Sequence, residues 1–159
     1  MKTIQDTVAA LGERLLQKKW LLATAESCTG GLIGHCLTNA SGSSGWFAGG
    51  IISYSNEIKM RLLGVAPETL ASQGAVSEET VQAMVSGART VFTCQAAVAV
   101  SGIAGPTGGT PDKPVGTVWM AASVPGAQAT ELHHFSGDRD AVKMQTAQAA
   151  LELLLKLCK

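Results

Sequence analysis

Two short runs, WLLATAE (20–26) and QAAVAVSG (95–102), are apolar or small at nearly every position. Buried strands of this kind must be covered on both faces, which confines the chain to a sheet with helices on either side.

Helical stripes surround these runs. Ile4, Val8, Leu11 and Leu15 recur at the spacing of an amphipathic opening helix. LIGHCLTNA follows Gly30 and Gly31 as a second helix, stopping before the Ser/Gly-rich SGSSG. WFAGGIISY predicts another strand, in which Gly49 and Gly50 signal a bulge or a close backbone approach. SNEIKMRLLG predicts a short helix capped by Ser55 or Asn56 and ended by Gly64. Its Ile58 and Leu62 are expected to face the core, with Glu57 and Arg61 pairing on the surface. VSEETVQAMVSGARTVF predicts a longer helix, N-capped by Ser77, with Val81, Met84, Val85, Ala88 and Phe92 as its buried stripe. VGTVWMAASV and ATELHHFSG, joined at PGAQ, predict an antiparallel hairpin. DRDAVKMQTAQAALELLLKL closes the chain as a helix with Val142, Ala149, Ala150, Leu153, Leu154 and Leu157 inward. The expected class is therefore α/β: a mixed sheet with helices on both faces, in one domain spanning 1–159.

Charge narrows the partners. The chain has 12 Lys and Arg against 12 Asp and Glu, with no cationic run, which argues against nucleic acid or a membrane surface and leaves a small ligand. MKTIQDTVAALGERLL carries acids within its apolar pattern and reads neither as a signal peptide nor as a membrane span. Cys28, Cys36, Cys94 and Cys158 lack metal-type spacing and read as reduced thiols of a cytoplasmic protein. His133 and His134 are adjacent in a strand and point to opposite faces, so no metal site is expected.

Three loops leave predicted strands: AESCTGG, SGIAGPTGG and FSGDRD. None is a Walker loop or a GxGxxG turn, which disfavours an ATPase or a dinucleotide enzyme. In the first loop Ser27, Cys28 and Thr29 are candidate nucleophiles, or else caps of the helix that begins near Gly30. The amides of Thr29, Gly30 and Gly31 are placed to meet an oxyanion or a phosphate. Serine needs a base, and no histidine lies in a polar motif. Lys59 can serve if burial and a helix start lower its pKa by roughly three units, which corresponds to about 4 kcal/mol. Tyr54, the only tyrosine, is either a core ring or a hydrogen-bonding group of the site. The second loop supplies the amides of Gly102, Ala104 and Gly105 and the hydroxyl of Thr107. Arg139 is placed either to clamp a phosphate or to pair with Asp138, Asp140 or Glu131.

In order along the chain, AESCTGG, SSGWFAGGIISYSNEIK, GAVSEETV, SGIAGPTGG, KPVGTVW and GDRDAV resemble the CinA C-terminal domain family. The resemblance covers nearly the whole chain. It implies a three-layer α/β/α sandwich, often dimeric. It also implies a metal-free, cofactor-free amidase that turns nicotinamide mononucleotide into nicotinate mononucleotide and ammonia. The family's serine nucleophile falls on Ser27, its lysine on Lys59 and its motif tyrosine on Tyr54. Thr107 stands where some relatives carry an acid. With that substrate, Arg139 and loop amides are expected to hold the 5′-phosphate. Two other readings fit the same residues: a module that binds a pyridine nucleotide without hydrolysing it, and a partner of a separate pyrophosphatase-like chain.

Overall fold

A reciprocal cap starts the first helix, α1 (Ile4–Lys18): the Thr3 hydroxyl accepts the Asp6 N–H, and the Asp6 carboxylate accepts the Thr3 N–H. The computed structural model describes residues 1–159. Beyond α1 the apolar runs form the strands β1 (Leu22–Glu26), β2 (Phe47–Ile52) and β3 (Ala96–Gly102), all parallel. The hairpin strands β4 (Thr117–Val124) and β5 (Ala127–His134) extend the sheet, β4 antiparallel to β3 and β5 antiparallel to β4, giving one mixed sheet in the order β2-β1-β3-β4-β5. One end of this sheet gathers the C-terminal ends of β1, β2, β3 and β5 and the start of β4. The hairpin turn at Pro125 and Gly126 lies at the other end.

Side-chain alternation assigns the helices to two layers. Leu22, Val98, Val100, Val118 and Met120 share one core with α1, α2 (Leu32–Thr38) and α6 (Arg139–Leu157). Ala23, Ala25, Ala97, Ala99 and Ala121 form the opposite face, against α5 (Glu78–Phe92). Methyl-sized side chains let α5 lie low on the sheet. α3 (Asn56–Leu63) and α4 (Pro67–Gln73) complete that layer, with Leu63, Val65 and Leu70 packing into its core. A Cβ on Gly87 of α5 would stand 2.0 Å from the Leu63 carbonyl oxygen, so these two helices touch through backbone.

The glycine pair in β2 does both things its sequence suggests. Leu22 pairs with Phe47 but Ala23 with Gly49, which leaves Ala48 as a bulge. Gly50 lies over Thr24, whose Oγ1 would be 2.1 Å from any added Cβ.

Two features depart from the sequence expectation. In α3, which Ser55 caps through the Ile58 N–H, the buried positions are Lys59 and Leu63. Leu62 is 47% exposed and Ile58 only half-buried. The helix turns its lysine, not its isoleucine, toward the molecule. α4 was not expected at all: it begins on Pro67 and has no fully buried residue, so it carries no apolar stripe to read.

Candidate active site

Four connections cross the end of the sheet where β1, β2 and β3 finish: residues 27–31, 53–55, 103–116 and 135–138. The first three, with α3, the turn at Ala75 and Val76, and Arg139 just after the fourth, line a cavity of about 390 Å³. A larger depression of about 520 Å³ beside Arg89, Ser123 and Gln128 lies toward the far end of the sheet and holds no paired nucleophile and base.

Ser27 follows β1 directly. Its N–H bonds the Val100 carbonyl at 3.1 Å, which extends the β1–β3 pairing by one residue and fixes the serine backbone. Its Oγ lies 3.0 Å from Lys59 Nζ, and that amine also donates to the Tyr54 carbonyl at 3.0 Å. Lys59 is 1% exposed and has no carboxylate partner. Burial strips its ammonium of water and pulls the pKa from 10.5 down to about 8, against a small opposing pull from Cys28. The two residues stand 32 positions apart and come from opposite layers: the serine turn leads into α2, while the lysine comes from α3.

Cys28 is a different kind of neighbour. Burial is the chief cause that pushes its thiol up to about 12, so it stays protonated and unreactive near neutrality.

The expected helix caps are not Ser27, Cys28 or Thr29. Gly31 (φ 105°) holds the cap position before α2 and has no side chain to cap it. Glu26, the last residue of β1 and 2% exposed, reaches over the turn instead. Its Oε1 accepts the Thr29 hydroxyl at 2.6 Å and the Ile33 N–H at 2.8 Å, and its Oε2 accepts the Gly34 N–H at 3.0 Å. The start of α2 is thus already capped by the Glu26 side chain. Thr29, Gly30 and Gly31 do not line the cavity, in contrast to their expected ligand-binding place.

Gly102, Ala104, Gly105, Thr107 and Arg139 do line it. Arg139 forms none of the salt bridges open to it. It donates to the Gly105 carbonyl at 2.6 Å and to the Tyr54 hydroxyl at 3.3 Å, while Asp138 caps α6 and Glu131 takes His133 and Lys156. Tyr54 is accordingly no core ring: it is 60% exposed at the cavity, its hydroxyl engaged with Arg139 and its carbonyl with Lys59. The N–H groups of Cys28, Ala104 and Gly105, all on the wall, donate to no oxygen of the chain.

Sequence reasoning passed over Asn56, Ala75, Val76, Ser101, Ile103 and Gly108, which complete the wall. Asn56, Ser101, Ile103 and Gly108 sit inside motifs already singled out, each one or two residues from a residue chosen there. Ala75 and Val76 carry no reactive group and gave no signal. No three His, Cys, Asp or Glu side chains gather to form a metal-holding group.

The family model described as the CinA C-terminal domain matches residues 4–158. A nicotinamide-nucleotide amidohydrolase PncC from Pseudomonas putida is 51% identical over 158 residues, covering 99% of this chain and 98% of the relative. The protein of that name from Escherichia coli K12 is 48% identical over 145 residues, 91% of this chain and 88% of its own. Among solved structures, a CinA superfamily protein from Enterobacter cloacae superposes with a TM-score of 0.96 at 34% identity, covering 100% of this chain and 94% of its own. The competence/damage inducible protein CihA from Agrobacterium tumefaciens gives 0.95 at 36% identity, with both chains fully covered.

Proposed function

Because this chain belongs to the CinA C-terminal domain family, we propose that it hydrolyses the carboxamide of nicotinamide mononucleotide, releasing ammonia and nicotinate mononucleotide, through Ser27 and Lys59. The observation that carries the reading is the 3.0 Å contact between the serine oxygen and a buried amine with no counter-ion.

Neutral Lys59 takes the Ser27 proton as Oγ attacks the carboxamide carbon. The carbonyl oxygen becomes an anion, for which the free N–H groups of Cys28, Ala104 and Gly105 are the available donors. Collapse of the adduct breaks the C–N bond, and the proton held by Lys59 leaves with ammonia. Lys59 then deprotonates a water that attacks the acyl-serine; collapse breaks the ester bond, Ser27 Oγ takes the proton back from Lys59, and the acid product leaves as its carboxylate with its proton passing to solvent. Tyr54 serves through its carbonyl, which holds the amine in line with Ser27, while its hydroxyl engages Arg139. Arg139 is the guanidinium on the wall and the group suited to the 5′-phosphate, with Thr107 and the loop amides around it. None of these steps uses a metal.

The test is ammonia release from nicotinamide mononucleotide by the purified protein, beside Ser27→Ala. The wild type should turn over at an unchanged rate in the presence of a chelator. The variant should release no ammonia yet still be stabilised thermally by the nucleotide. Stabilisation of the wild type without ammonia would identify a binding module instead.

A further inference from the structure

Glu26 is immediately next to the nucleophile and carries none of the chemistry assigned above. Capping alone does not explain it. A neutral Ser or Asn at position 31 is the ordinary solution for a helix of seven residues, whereas burying a carboxylate is costly. The carboxylate also does more than a cap. From the start of the turn it holds Thr29 in the middle, through the 2.6 Å hydroxyl bond, and Ile33 and Gly34 beyond the end. The Glu26 carbonyl is held as well, by the Ser53 N–H at 2.8 Å and the Ser53 hydroxyl at 3.3 Å. Ser53 lies next to Tyr54, whose carbonyl holds Lys59. One residue therefore ties the serine turn on one side and the segment that steadies the lysine on the other.

We propose that Glu26 is a positioning residue that holds the Ser27 oxygen opposite the Lys59 amine by clamping the turn through Thr29 and the start of α2. The inference rests on the serine–lysine reading, so its test uses a probe of the serine that does not depend on the natural substrate. An alkyl fluorophosphonate reacts when serine oxygen attacks phosphorus, fluoride leaves and the serine proton passes to the base. Its rate therefore reports the alignment of the pair.

Labelling of Ser27, located by peptide mass spectrometry, is measured for the wild type, Glu26→Gln, Thr29→Val and Thr29→Ser, together with melting temperature. Glutamine keeps one oxygen acceptor but turns an NH₂ group on the Gly34 N–H. Glu26→Gln should label at least about tenfold more slowly, with kcat for ammonia release falling in step and KM changing little. Thr29→Val should be slowed in the same sense, and Thr29→Ser should return to the wild-type rate. Glu26→Gln labelling at the wild-type rate with only a lower melting temperature would overturn the proposal and leave Glu26 a helix cap. Should Glu26→Gln not fold, equal rates for Thr29→Val and Thr29→Ser overturn it too. A wild type that fails to label at Ser27, while nicotinamide mononucleotide is still deamidated, removes the dyad reading and this inference with it.

Discussion

Lys59 exists in two useful forms within reach of ordinary pH, and each has a measurable consequence. Only the neutral amine can accept the serine proton. The rate should therefore fall tenfold per pH unit below an apparent pKa of about 8 and level off above it, as a pH series of kcat/KM will show. Stability follows the same proton. Between about 8 and 10.5 the unfolded chain holds a proton that the folded chain has lost, so the folded state gains stability as pH rises through that window. Below pH 8 the buried ammonium costs the fold up to about 3 kcal/mol. Lys59→Met should thus be inactive, by about 10²-fold or more. It should melt higher than the wild type at pH 7, and this advantage should shrink at pH 10. Cys28→Ala should keep near-wild-type activity, since its thiol contributes no thiolate. The sequence exposed these residues unequally. Ser27 and Lys59 were legible through their motifs, but no spacing rule says that residues 32 positions apart must touch. Glu26 was overlooked because caps are sought at the helix start, and this one comes from the end of the preceding strand.

At the scale of elements, the seating of α3 on α5 controls how far Lys59 reaches. Gly87 makes that seating tight: a methyl there would meet the Leu63 carbonyl, one helical turn beyond Lys59. Gly87→Ala should cost about 1–3 kcal/mol in urea unfolding and should also lower kcat, because α3 must withdraw and carry the amine with it. Element types were readable wherever a stripe or a buried run was complete, as in α1, α5, β3 and the hairpin. Orientation was not readable in α3, where Ile58 and Leu62 are the apolar choice and the fold instead spends its inward position on a lysine. α4 left no trace because it buries no complete side chain.

The molecule as a whole draws Ser27 and Lys59 from opposite layers and lets their side chains meet at the end of the sheet. Ser27 depends on the layer of α1, α2 and α6, and Lys59 on the layer of α3, α4 and α5. Neither core can loosen without opening the contact. Loss of ammonia release in urea should therefore coincide with loss of far-ultraviolet circular dichroism, with no inactive but folded intermediate. The alternation of helices and strands made the layers legible. The strand order was not, since it depends on which edge of β1 each neighbour takes.

The antiparallel hairpin has a practical corollary. Because β4 runs away from the cavity and β5 returns toward it, the exposed Pro125–Gly126 turn lies at the opposite end of the sheet, and a Cβ on Gly126 would meet nothing within 4 Å. That turn is the natural port for new termini, an immobilisation tether or an inserted reporter, each of which should leave catalysis intact.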